Sequence, residues 1–272
     1  MLHRPLLSAL LTFAMLFTTS AGSASSSAHR PPGVAAEFFV RAAKGRSRPP
    51  ANKQLGVGPV VWAKSSFDKA AWNRVPLMLE RDLQASFELV RDEKAFTDDS
   101  LRKRRATWFY PDDGCFVRAT VADDVIAKLL SSANIPTAKI FAFGNLNVRT
   151  GNSPAGEVQW WYHVAAITKV TTLTGTTASD EYYVFDPAMN PKAPMPVKTW
   201  LNAMDDSDVE IAICAGASYD PDSLCENNDV STRQSALARA YGEVGQFLAS
   251  EWERLEDLGR DPNLELGSHP PW

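Results

Sequence analysis

At positions 110–119 the chain reads Tyr110-Pro111-Asp112-Asp113-Gly114-Cys115-Phe116-Val117-Arg118-Ala119. The pair of aspartates followed by glycine is typical of a turn. After Cys115, apolar residues recur every four positions and predict a helix, at Val117, Val121, Val125 and Leu129. The free N–H groups and partial positive charge of a helix N-terminus stabilise a thiolate, so Cys115 is a candidate nucleophile. The alternative is that Cys115 is a small buried hydrophobic residue.

His163 lies within a second predicted element, a strand from 160 to 170. The other histidines beyond residue 24 are His29, in a Pro- and Ser-rich stretch, and His269, in a Pro-rich tail. Strand alternation predicts that the following residues share one face: Trp161, His163, Ala165 and Ile167. An imidazole among large apolar side chains needs a polar partner. His163 is therefore a candidate general base, and the alternative is a core histidine bonded to a backbone carbonyl.

Asp186 ends the next predicted strand, 181–186, which Pro187 stops. A carboxylate on a buried strand is costly unless it is paired. A hairpin of the two strands would bring Asp186 to His163, where it could accept the Nδ1–H of the ring. The alternative is that Asp186 caps the turn at Pro187. Together, Cys115, His163 and Asp186 predict a thiol nucleophile, its base and an orienting carboxylate, and hence an acyl-transfer enzyme.

The chain has three cysteines. Cys214 and Cys225 flank a turn-rich stretch that we expect to be a flexible loop, and in an oxidising compartment they would pair. Cys115 is then left as a free thiol. Pairing of Cys115 with Cys214 or Cys225 remains open at this stage, and either would remove the nucleophile.

The composition narrows the class of protein. The hydrophobic content of 44%, the charged content of 22% and the net charge of −4 are those of a globular protein, with no sign of a nucleic-acid partner. One structured histidine and one unpaired cysteine do not make a zinc site, and no phosphate-binding or dinucleotide motif occurs, so we expect no metal and no cofactor.

The N-terminus resembles an export signal. A short polar start precedes an apolar run from residue 6 to 17 and a stretch of small residues from 18 to 27. We expect residues 1–24 to be a signal peptide, the alternative being an uncleaved anchor. Residues 25–74 would be a flexible linker or a pro-segment, and the mature protein would be secreted or periplasmic, without a membrane span and monomeric. Residues 75–272 would form a catalytic domain with a C-terminal helical extension.

Periodicity predicts further helices over 75–93, 199–204 and 235–258, and strands over 57–63 and 140–148. Helices come before the run of antiparallel strands, which favours an α+β fold.

The motifs resemble those of the bacterial protein-glutaminase family. The resemblance is carried by Phe109 to Ala119, Phe143-Gly144-Asn145-Leu146, Thr150-Gly151, Trp161 to Ala165, Asp186-Pro187, Pro196-Val197 and Trp200. It implies a papain/transglutaminase-like core, with an N-terminal nucleophile helix packed on an antiparallel sheet. The long C-terminal helix is a departure from the family.

The resemblance also implies an activity. The family's triad carries over onto Cys115, His163 and Asp186, and its reaction is deamidation of protein- or peptide-bound glutamine to glutamate through a thioester, with release of ammonia. The partners would be proteins or peptides with accessible glutamine. The alternatives are a transglutaminase or cysteine peptidase that uses the same triad, or a non-catalytic secreted binding module.

Overall fold

The protein is described from a computed structural model. The described residues are 61–63, 72–98, 101–130, 137–174, 176–207, 209–223, 225, 229–268 and 270. The predicted signal peptide lies outside them, as does the segment 25–74 apart from residues 61–63 and 72–74.

A six-stranded antiparallel sheet forms the centre of the fold, with the strand order β1-β8-β4-β5-β6-β7. Two short strands, β2 and β3, pair separately. The strands are β1 (Val61–Ala63), β2 (Phe96–Thr97), β3 (Lys103–Arg104), β4 (Ala138–Arg149), β5 (Glu157–Thr174), β6 (Thr177–Phe185), β7 (Met195–Pro196) and β8 (Glu210–Ala215).

Five helices complete the described part of the chain. They are α1 (Glu80–Asp92), α2 (Cys115–Leu130), α3 (Val197–Asn202), α4 (Val230–Asp257) and α5 (Pro262–Leu266). The predicted helix over 75–93 begins only at Glu80. Residues 76–78 instead run beside β5, where Met78 N–H donates to Lys169 O at 2.8 Å and Lys169 N–H donates to Pro76 O at 2.9 Å. Pro76 also disfavours a helical conformation at Val75.

Helix α2 lies between the sheet and the other helices. Its outer side packs against α1 and α4, through Val117, Val121, Val125 and Ile126. Its N-terminal part contacts the sheet, where Cys115 and Ala119 meet Phe141, Phe143 and Val164. Burial on two sides explains why apolar residues surround most of the helix rather than forming one stripe. Leu129, predicted in the apolar series, is 41% exposed near the helix end.

The opposite face of the sheet carries a second core, in which Ile140, Ile167, Val184 and Ile213 pack with Trp200. Strand β8 lies between β1 and β4 and supplies Ile211 and Ile213 to this core. The sequence did not predict β8: Cys214 was expected only to flank a flexible loop, and it lies within this strand.

The α+β prediction is confirmed, including the cysteine-bearing helix packed on an antiparallel sheet and the long C-terminal helix. This is the architecture expected of a papain/transglutaminase-like core. In the described part of the chain, no helix is both long and apolar enough to cross a membrane.

Candidate active site

Cys115 is the first residue of α2 and is 8% exposed. The turn before it requires glycine, because Gly114 has φ +76°, in the left-handed region. A Cβ at Gly114 would also lie 3.0 Å from the Phe247 ring of α4. The chain therefore bends sharply at Gly114 and presents the cysteine at the start of the helix.

Arg118, a buried residue near the start of α2, stabilises the turn that precedes Cys115. Arg118 is 2% exposed, and its Nη1 donates to Asp113 O at 2.6 Å and to Tyr110 O at 2.7 Å. The strand that carries His163 makes another contact, since Trp160 Nε1 donates to Pro111 O at 3.0 Å. The position of Cys115 thus depends on both its own helix and β5.

His163 and Asp186 meet as the hairpin of β5 and β6 predicted. The strands pair with Ala166 opposite Phe185, which places Asp186 beside the middle of β5. Asp186 Oδ2 lies 2.7 Å from His163 Nε2, and the two side chains are 3% and 1% exposed. The prediction that Asp186 would face Nδ1 is wrong. Asp186 binds Nε2, which leaves Nδ1 as the ring nitrogen available to the thiol.

Cys115 lies close enough to the His163 ring for its sulfur to raise the pKa of the imidazole. Among the described residues, Nδ1 has no hydrogen-bond partner of standard geometry, so the contact with the sulfur is a loose one. Contacts of this kind are often longer in a free enzyme than in its substrate complex. The fold therefore brings Cys115, His163 and Asp186 together from three separate elements.

The electrostatics of the pair favour a charged imidazolium. Burial by itself lowers the pKa of His163, but the Asp186 carboxylate and the Cys115 sulfur outweigh it and raise the pKa to about 9. Burial by itself raises the pKa of Asp186, but His163 and the Trp200 N–H hold it below its usual range. At neutral pH the site therefore contains an ionised carboxylate and a protonated ring.

Two tryptophans fix the His163–Asp186 pair. The Trp160 ring stacks on the His163 ring with 4.3 Å between centroids and 13° between planes. Trp200 Nε1 donates to Asp186 Oδ2 at 2.9 Å. Strict alternation predicted Trp161 on the face of His163, and this is wrong because the β4–β5 pairing shifts register between Phe143 and Leu146.

Tyr162 is a site residue that the sequence reasoning missed. It is half-buried and packs in the same cluster as Cys115. Burial, together with the nearby Cys115 sulfur, raises the pKa of Tyr162 well above its usual value. The hydroxyl therefore keeps its proton and can donate to the sulfur. Alternation correctly placed Tyr162 on the face of Val164, but it gave no signal that Cys115 packs against that face.

Cys214 and Cys225 form a disulfide, and Cys115 is a free cysteine. The alternative pairings with Cys115 are therefore not those of the structure. The bond ties β8 to the turn that follows it, and Ala215 N–H also donates to Cys225 O at 2.6 Å. Within the described residues, no group of three or more His, Cys, Asp or Glu side chains could hold a metal ion.

Part of the chain matches a known family. The family model Gln_deamidase_2, described as Glutaminase, matches residues 83–204. This segment is a little under half of the chain and contains Cys115, His163 and Asp186. Over this segment the chain is similar to the glutaminase family, as the motifs predicted.

Solved structures of protein-glutaminases are similar to part of this chain. A crystal structure of protein-glutaminase is 25% identical, with 60% of this chain and 87% of that chain covered and a TM-score of 0.42. The NMR structure of protein-glutaminase from Chryseobacterium proteolyticum is 24% identical, with coverages of 58% and 86% and a TM-score of 0.43. A crystal structure of pro-protein-glutaminase is 22% identical, with coverages of 65% and 62% and a TM-score of 0.42. No curated protein matches.

Proposed function

We propose that this protein is a cysteine-dependent amidohydrolase that converts protein- or peptide-bound glutamine to glutamate. One observation carries the proposal. Within the segment that matches the glutaminase family, a free cysteine at a helix N-terminus interacts with a histidine whose Nε2 lies 2.7 Å from a buried aspartate. A thiol, a base and an orienting carboxylate are the groups that covalent acyl transfer needs.

The first half-reaction forms a thioester. The Cys115 thiolate attacks the carbonyl carbon of the glutamine carboxamide, and the negative charge moves to the carbonyl oxygen. Backbone N–H groups of the first turn of α2 are candidate donors to this oxygen. The C–N bond then breaks as the imidazolium of His163 gives its proton to the nitrogen, and ammonia leaves.

The second half-reaction consumes one water. Neutral His163 takes a proton from the water, whose oxygen attacks the thioester carbon, and the C–S bond breaks. The products are a glutamate side chain and the regenerated Cys115–His163 pair. Asp186 keeps the ring in one orientation and stabilises its charged form throughout, without itself exchanging the proton.

We also propose that the enzyme works outside the cytoplasm. The signal-like N-terminus and the Cys214–Cys225 disulfide support this location, because disulfides persist in oxidising compartments. The division into a signal peptide over 1–24, a linker or pro-segment over 25–74 and a catalytic domain over 75–272 stays a prediction. So does the monomeric state.

The test is ammonia release from a glutamine-rich protein, with mass spectrometry of the product and Cys115→Ala as the control. We expect ammonia together with glutamine-to-glutamate conversion, and neither in the variant. If the wild-type protein is silent, limited proteolysis to remove residues before the catalytic domain is the second arm.

Other outcomes would replace the proposal. Preferential incorporation of a lysine-like amine would indicate a transglutaminase, and backbone cleavage would indicate a peptidase. A Cys115 that iodoacetamide does not alkylate at neutral pH, together with silence in every assay, would indicate a binding module.

A further inference from the structure

Helix α4 lies outside the family segment, yet it contacts the turn that presents Cys115. Glu251 Oε1 accepts the N–H of Phe109 at 2.7 Å, and Arg254 Nη1 donates to the carboxylate of Asp112. The Phe247 ring lies against Gly114 and meets the Phe116 ring with 5.9 Å between centroids. The outer side of the turn is therefore held by side chains of α4.

Arg254 makes more than one of these contacts. Its Nη1 also donates to Asn152 O at 2.9 Å, in the loop between β4 and β5, and its guanidinium lies 5.3 Å from the centre of the Tyr110 ring. The side chain is 14% exposed. An arginine that joins two loops and is largely removed from water holds them in a defined geometry, unlike a solvated surface pair.

Glu251, another residue of α4, holds the chain just before the turn through buried contacts. Its side chain is 1% exposed and faces Arg105 Nη1 at 3.3 Å as well as the N–H of Phe109. A buried carboxylate is tolerated only while its partners stay in place. The backbone at Phe109 is thus fixed relative to α4.

The other end of α4 is attached to the same nucleophile helix. Arg233, in the first turn of α4, donates to Asp123 Oδ2 at 2.6 Å, and Asp123 lies in the middle of α2. Helices α2 and α4 therefore run antiparallel, with contacts at the middle of α2 and at the turn before it. This arrangement restrains α2 and its preceding turn as one body.

We infer that Arg254 is a positioning residue for Cys115, acting through Asp112 and the turn 110–114. The inference rests on the proposed function for its consequence in catalysis, but its direct effect is on the thiol. With the turn fixed, the Cys115 sulfur stays in contact with His163. Without Arg254, the turn is held by fewer contacts and the sulfur samples positions away from the ring, where it is not activated.

The experiment compares Arg254→Ala with Arg239→Ala, a matched control on the same helix. Arg239 also pairs with a carboxylate, Asp220 at 2.9 Å, and also lies over a tyrosine ring, Tyr219 at 4.1 Å. The readouts are the rate of Cys115 alkylation by iodoacetamide, kcat and KM for ammonia release, and Tm. We expect Arg254→Ala to slow alkylation and to lower kcat by about tenfold, with KM little changed.

Arg239 is more exposed than Arg254, so Arg239→Ala is expected to lower Tm less, and it should change neither rate. Asp112→Asn removes the negative charge of the same ion pair. Because Asp112 is half-exposed, this variant tests the inference if Arg254→Ala does not fold. It should slow alkylation and lower kcat as Arg254→Ala does. The double variant should lose no more of either rate than either single variant does. Unchanged alkylation in Asp112→Asn, or equal loss in the two arginine variants, would overturn the inference. Alkylation needs no substrate, so the inference is tested even if no ammonia is released.

Discussion

The proton on His163 sets the pH range of the proposed enzyme. The ordinary pKa of histidine is 6.5, and contacts with Asp186 and Cys115 raise that of His163 to about 9 despite burial. A raised pKa means that the folded state holds its proton more tightly than the unfolded chain. The stabilisation is therefore complete below about pH 6.5 and is lost as the pH rises through about 9.

Activity should require the same proton on His163, because the leaving ammonia takes it from the imidazolium. We expect kcat/KM to fall as the pH rises through about 9. In Asp186→Asn the carboxylate charge is removed, so the fall should begin at a lower pH and kcat should drop at least about 100-fold. A pH–rate profile of both proteins measures this. An alkaline fall at the same pH in both would show that Asp186 does not set the pKa of His163.

Tyr162 is the second prediction at this scale. Its neutral hydroxyl lies near the Cys115 sulfur, and a hydrogen bond from it to the attacking thiolate would contribute about 1.5–3 kcal/mol. We expect Tyr162→Phe to lower kcat/KM about tenfold or more without altering the fold. Tyr182→Phe is the matched control, since Tyr182 packs edge-on against Trp72 with 4.5 Å between ring centroids, in the core on the other side of the sheet. Equal rates for Tyr162→Phe and the wild type would remove Tyr162 from the site.

The sequence predicted some of these residues for a physical reason. His163 and Asp186 were found because each is a polar group within an apolar strand, and the strands are adjacent in sequence and pair locally. Trp161 was assigned to the wrong face, because a register shift between β4 and β5 changes which face a side chain takes. The catalytic roles of Cys115, His163 and Asp186 stay predictions until the variants are measured.

At the scale of elements, the turn into α2 decides whether the nucleophile is presented. Gly114 and Gly156 have nearly equal positive φ values of +76° and +74°, but only Gly114 has a neighbour where a Cβ would stand, the Phe247 ring at 3.0 Å. Gly156→Ala should lower the free energy of unfolding only by the strain of a positive φ at alanine, about 1–2 kcal/mol. Gly114→Ala should cost more and should also lower activity, because Phe247 or the turn must move.

Urea unfolding and the alkylation rate of Cys115 measure the two effects. Equal losses of stability in Gly114→Ala and Gly156→Ala would show that the contact with α4 is not tight. The sequence indicated the turn from Asp112-Asp113-Gly114, whose chemistry is local. It could not indicate that α4 covers the turn, because Phe247 and Gly114 are far apart in the chain and only the fold brings them together.

At the scale of the whole molecule, the disulfide joins a strand of the sheet to the turn that follows it. Cys214 lies in β8, the strand between β1 and β4, and its partner is 11 positions further along the chain. Closing a loop of this length stabilises the fold by about 3 kcal/mol through the entropy of the unfolded chain. We expect reduction of the wild-type protein to lower its free energy of unfolding by about that amount.

Denaturant unfolding with and without a reductant measures the difference, and the variant Cys214→Ala/Cys225→Ala serves as the control because reductant should leave it unchanged. Equal stability of the oxidised and reduced protein would show that the bond adds nothing to the fold. Cys115 is not part of the bond, so the reduced protein should keep its reactive thiol as long as it stays folded.

The position of α4 in the chain has a consequence for synthesis and export. A chain made from its N-terminus delivers Cys115 and His163 before β8, and β8 before the α4 residues that hold the turn. The proposed nucleophile and its proposed base are therefore present in the nascent chain before the contacts that align them can form. Until α4 has emerged and packed against α2, the partly made protein carries an unaligned thiol, so the proposed deamidation would begin only once the fold is complete.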